Sequence, residues 1–116
     1  MNKKKFKKRE PRTLIEIRLE ITTGLQSFTA TSRNLSLGGV SFESLERFSI
    51  GEKINILLYM PIKKDLELLR IASKVIWVEF EQTEGLWLIG TVFQKFAPGD
   101  QKRLKEWLMI FFKYIK

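Results

Sequence analysis

Two short segments hold the residue types and spacings that could do chemistry. The first is Lys8-Arg9-Glu10-Pro11-Arg12, near the amino end. Pro11 fixes its own φ near about −65° and biases Glu10 toward an extended shape, so Arg12 leaves the segment in a partly fixed direction. Guanidinium groups held near each other grip phosphates, and their planar fork matches the O6/N7 edge of guanine. The second segment is Asn34-Leu35-Ser36-Leu37-Gly38-Gly39. In a strand, Asn34 and Ser36 fall on one face and offer an amide and a hydroxyl side by side. Gly39 leaves room for a ligand to approach the backbone. Each segment also has a plain reading when taken alone: a solvated basic pentapeptide, and a turn leading into a strand.

Composition removes most competing chemistries. The chain has 116 residues, a net charge of +8, no Cys and no His. There is no thiolate nucleophile, no cysteine zinc site and no disulfide framework, and the commonest general base near neutral pH is missing. No Gly-rich phosphate loop of the Walker type and no dinucleotide fingerprint is present. Glu16 and Glu20, or Glu79, Glu81 and Glu84, read as solvated face charges rather than acid–base pairs. The expectation is a binding protein, not an enzyme, with no metal and no cofactor.

The charge is concentrated. Residues 1–12 hold seven Lys/Arg and one acid, whereas residues 13–116 hold fourteen and twelve. Such an arm meets nucleic acid, acidic head groups or a phosphorylated ligand, or simply keeps the chain soluble. No apolar stretch of about 7–15 residues follows it, so it is no export signal. No apolar run approaches the roughly 18 residues of a membrane span, and the chain reads as soluble and cytoplasmic with no integral membrane segment.

The elements that must position the two segments are short strands. Arg12 to Thr23 alternates, with Ile15, Ile17, Leu19 and Ile21 on one face, until Gly24 breaks it. Phe28–Arg33 reads as a second strand and Val40–Phe42 as a third. Ile54–Tyr59 forms a fourth, stopped by Pro61, and Lys63-Lys64-Asp65 is a charged loop. Ile71–Phe80 and Leu86–Phe93 complete six strands. After Pro98-Gly99 the period changes, Asp100 is a helix N-cap, and Leu104, Trp107, Leu108, Phe111 and Ile115 mark an amphipathic helix over 100–115. The fold class is all-β with one C-terminal helix, a six-stranded antiparallel β-barrel covered by that helix. Met109, Ile110 and Phe112 widen the apolar face; core is the default reading, and a homodimer contact or a partner protein the alternative.

In this order and frame, the two segments resemble the PilZ family of cyclic di-GMP receptors. That family places an Arg-x-x-x-Arg loop before the first strand and an Asp/Asn-x-Ser-x-x-Gly motif about twenty residues later. Here the second motif is complete as Asn34, Ser36 and Gly39; the first has Arg12 at its closing position and Lys8, followed by Arg9, at its leading one. Ile50-Gly51-Glu52-Lys53-Ile54, Ala72-Ser73-Lys74-Val75-Ile76-Trp77 and Leu88-Ile89-Gly90-Thr91-Val92-Phe93 are similar to three further family strands. The resemblance implies a flexible basic arm at 1–7 and a single PilZ-like split-barrel domain at 8–116, in a bacterial second-messenger signalling protein. It implies cyclic di-GMP as ligand: Arg12 as the guanine fork, Asn34 on a guanine edge, Ser36 on phosphate or sugar. Gly39 would be the close-approach position and Lys8 or Arg9 the second cation. Binding would order the arm and change the surface shown to a downstream protein partner. Two other readings remain: a nucleotide-blind adaptor acting through protein contacts, and a small basic barrel for RNA or single-stranded DNA. The second is disfavoured by a nearly neutral body without rows of aromatics and cations.

Overall fold

A computed structural model describes residues 13–14, 16–62 and 65–115. The elements are β1 (Thr13–Leu14), β2 (Arg18–Thr23), β3 (Gln26–Leu35), β4 (Val40–Ser44), β5 (Lys53–Ile62), β6 (Asp65–Glu81), β7 (Leu86–Phe96) and α1 (Asp100–Ile115). The sheet runs β3-β2-β5-β6-β7-β4, and β4 pairs back onto β3, so six antiparallel strands close a barrel. β1 adds to the end of β3 beyond the reach of β2. Among the described residues no helix is long and apolar enough to cross a membrane.

The interior follows the alternation of the sequence. Leu19 and Ile21 on β2, Ile54, Ile56, Leu58 and Met60 on β5, and Leu69, Ile71 and Val75 on β6 are all buried in one cluster. Phe48 seals one end, edge-on to Phe28 and Phe42 at 5.9 and 5.8 Å. Leu104 and Leu108 of α1 join the same core.

Four local features depart from the sequence expectation. The first strand is interrupted rather than continuous from Arg12 to Thr23. At the break, the Ile17 N–H donates to the buried Ser32 Oγ at 2.9 Å, and the Ser32 N–H donates to the Ile17 carbonyl at 3.0 Å. A hydroxyl thus replaces a ladder partner where two strands separate. Pro61 does not stop β5, which continues to Ile62 paired with Asp65. β2 covers β5 only from Asn55 to Leu58, so Pro61 sits on an open edge where its missing N–H costs no ladder bond. Its carbonyl accepts from Trp107 Nε1 at 3.0 Å.

Asp100 starts the helix but turns its carboxylate to the sheet. Its Oδ2 accepts from the Arg70 backbone N–H at 2.8 Å, and its Oδ1 lies 3.5 Å from Arg103. It therefore fastens α1 to β6 instead of capping its own first turn. The core reading of Met109 and Ile110 does not hold, because these residues are 61% and 55% exposed. With Leu104 and Leu108 directed into the barrel, a period of about 3.6 residues carries positions 109 and 110 around the helix. The Phe112 side chain and the loop residues Lys63 and Lys64 lie outside the described residues.

Candidate functional site

The Asn34–Gly39 segment lies where β3 hands over to β4. Strict alternation through Ala30 and Ser32 would point Asn34 inward. Instead Ser32 pairs with Phe42 and Asn34 with Ser41, leaving Arg33 as an extra residue in β3. This β-bulge reverses the phase: Leu35 is fully buried and Asn34 and Ser36 are half-exposed. The bulge residue Arg33 is engaged with Glu43 at 2.8 Å.

Asn34 Nδ2 donates to Ser41 Oγ at 3.4 Å, a long bond and its only side-chain bond among the described residues. Ser36 organises the turn: its Oγ accepts from the Gly38 N–H at 3.1 Å and reaches the Gly39 carbonyl at 3.5 Å. The Ser36 N–H donates to the same carbonyl at 3.0 Å. Because that hydroxyl–carbonyl contact is at the limit of a hydrogen bond, the Ser36 proton can turn to an incoming oxygen at little cost.

Gly39 has a different neighbour from the one its motif position suggested. A Cβ placed there would overlap the Thr91 carbonyl oxygen and lie 3.1 Å from Thr91 C and 3.3 Å from Val92 Cα. The backbone approaching Gly39 is that of β7. Next to it, Phe93 N–H donates to the Gly38 carbonyl at 2.8 Å, and Thr91 Oγ1 donates to the Val40 carbonyl at 2.7 Å. Glycine here lets the barrel close.

The register extends the site along one outer row. Asn34 pairs with Ser41, Ser41 with Gly90, and Gly90 with Trp77. A second bulge, at Ile76, turns Trp77 outward, and its indole lies over the space a side chain at Gly90 would fill. An amide on β3, a hydroxyl on β4 and, over β7, an indole from β6 thus follow one another across four strands. Sequence reading found Asn34 but not Ser41 or Trp77, since only the pairing of distant strands makes them neighbours.

Lys8, Arg9 and Arg12 lie outside the described residues. The residue that follows Arg12, Thr13, pairs with Leu35, and Leu14 pairs with Asn34. The chain therefore joins the barrel between Asn34 and Ser36.

The described residues thus form a small closed antiparallel barrel with a terminal helix, carrying a polar rim at Asn34 and Ser36 where β1 joins β3. The family described as the PilZ domain matches residues 6–109, and the chain belongs to that family. Its fold is similar to Bacillus subtilis inhibitor of motility, MotI/DgrA, with a TM-score of 0.77 and 17% identity over 88% of this chain and 50% of that one. It is similar to K. pneumonia MrkH in complex with c-di-GMP, with a TM-score of 0.70 and 16% identity over 91% of this chain and 52% of that one. It is also similar to the PilZ domain of Escherichia coli YcgR with c-di-GMP, with a TM-score of 0.63 and 14% identity over 85% of this chain and 86% of that one. The chain spans about half the length of the MotI and MrkH chains. No curated protein matches its sequence.

Proposed function

We propose that this chain is a cyclic di-GMP receptor domain that binds without catalysis. The observation that carries the reading is the register at Thr13. Thr13, the residue that follows Arg12 in the sequence, pairs with Leu35, which lies between Asn34 and Ser36. Arg33, the nearest described guanidinium in sequence, is held by Glu43, so the cations for the phosphates come from the segment before Thr13. The solved complexes of MrkH and of the YcgR PilZ domain with c-di-GMP support the ligand class.

In this reading Arg12 forks onto a guanine O6/N7 edge and Lys8 or Arg9 supplies the second cation. Asn34 meets a guanine edge, and Ser36 turns its proton to a phosphate or sugar oxygen. Gly39 contributes by holding the Ser36 turn against β7. Binding changes the conformation of the amino-terminal segment; fixing backbone costs about 1–2 kcal/mol per residue, and charge-assisted hydrogen bonds of about 1.5–3 kcal/mol each offset it. The segment folded onto the ligand is then the surface that a downstream protein reads.

Calorimetric titration with cyclic di-GMP at physiological salt, with GTP as control, tests the reading. Micromolar or tighter binding is expected for the dinucleotide alone, and Arg12→Ala is expected to abolish it without unfolding the barrel. Absence of heat with the intact chain, or unchanged affinity in Arg12→Ala, overturns the assignment; the former leaves a nucleotide-blind adaptor.

A further inference from the structure

The wall of the barrel opposite β3 and β4 carries a second polar feature that the nucleotide reading does not use. On the outer face of β2, β5, β6 and β7, a hollow of about 490 Å³ opens over Ala72, with Arg70 and Lys95 as the cations of its lining. The register places two further cations, Lys74 and Lys53, beside the hollow rather than in its lining. Ala72 pairs with Asn55 on one side and Lys95 on the other. Arg70 and Lys74 stand two residues before and after Ala72 on the same face, because Ile71 and Ser73 between them point inward. Lys53 pairs directly with Lys74.

Three observations distinguish this cluster from scattered surface lysines. Lys53 and Lys74 are like charges in direct cross-strand register, an arrangement that destabilises a sheet unless something compensates it. Lys95 faces outward because Gln94 is an extra residue in β7; without that bulge Lys95 would point into the core. The side chains of Arg70, Lys53, Lys74 and Lys95 have no carboxylate partner among the described residues. Glu20, the one acid in the lining, accepts from the Tyr59 hydroxyl at 3.3 Å.

We propose that this hollow, together with Lys74 and Lys53 on the strands beside it, is an anion site for a small ligand carrying two or more phosphate groups, separate from the Asn34 rim. The cations span about 13 Å along β6 and about 10 Å across three strands, from strand rise and spacing. That is the footprint of a compact phosphorylated molecule rather than of a nucleic-acid duplex, and the volume falls within the roughly 300–1,000 Å³ of small-ligand sites. Ala72 leaves the floor clear, Arg70 supplies a fork and the lysines supply point charges. Bound phosphate relieves the Lys53–Lys74 repulsion.

Inorganic pyrophosphate is the probe, titrated calorimetrically into the full chain at physiological salt. Submillimolar binding is expected, weakened at least tenfold in the Lys74→Gln, Lys95→Gln double variant and unchanged in Asn34→Ala and in Lys102→Gln on the helix. Pyrophosphate is expected to raise the melting temperature of the parent chain but not of the double variant. Lys74→Gln alone is expected to melt no lower than the parent without ligand. Failure to bind below the millimolar range overturns the proposal. So does binding that survives the double variant, which places the anion on the amino-terminal lysines instead.

Discussion

Replacing Gly39 by Ala separates a glycine kept for a ligand from a glycine kept for the barrel. A left-handed backbone is not at issue, because Gly39 is not among the positive-φ glycines Gly24, Gly51, Gly85 and Gly99. The added methyl would overlap the Thr91 carbonyl oxygen and press on Thr91 C at 3.1 Å and Val92 Cα at 3.3 Å, where ordinary contact begins at 3.4 Å. All three are backbone atoms, so no side chain can swing aside and β4 and β7 must part. Forcing a methyl into packed structure costs about 1–3 kcal/mol. The separation also strains the Phe93–Gly38 bond at 2.8 Å and the Thr91–Val40 bond at 2.7 Å, each worth about 1 kcal/mol. The expected loss is therefore roughly 2–4 kcal/mol. Urea unfolding of the parent and Gly39→Ala chains measures it. Gly24→Ala, with φ of +60° but open space around it, serves as a control for strain alone. Parent-like stability in Gly39→Ala, with cyclic di-GMP binding lost, would refute the reasoning and return Gly39 to the role of a ligand-approach position.

Ser32→Ala leaves the Ile17 N–H unpaired in the interior and is expected to cost about 1–3 kcal/mol in the same unfolding assay. Asp100→Ala removes the acceptor for the Arg70 N–H and the tie between α1 and β6; a similar loss is expected, with α1 amides exchanging earlier than those of the barrel in hydrogen exchange. Gly90→Ala forces the Trp77 indole off the outer row, which a shifted tryptophan emission with a retained β-sheet circular dichroism spectrum would report. Lys8→Arg is expected to tighten cyclic di-GMP binding by about 1–3 kcal/mol, the worth of one bidentate base contact. No change there, together with loss in Arg9→Ala, assigns the second cation to Arg9.

What the sequence determined by itself is local and periodic. Alternation in Leu19–Ile21 and Ile54–Met60 assigns those residues to the inside, since a side chain's face on a strand depends only on counting by two. The change of period after Gly99 locates the helix, and the Asn34, Ser36 and Gly39 spacing locates the rim. The tertiary structure decided wherever that counting fails. Extra residues at Arg33, Ile76 and Gln94 exist only relative to a partner strand far away in the chain, and they set whether Asn34, Trp77 and Lys95 face solvent or core. The continuation of β5 through Pro61 depends on where β2 stops covering its edge. The meaning of Gly39 likewise comes from Thr91, fifty-two positions later in the numbering. Bulges, edges and close approaches are properties of pairs of segments, so they become legible only once long-range pairing has fixed which segments meet.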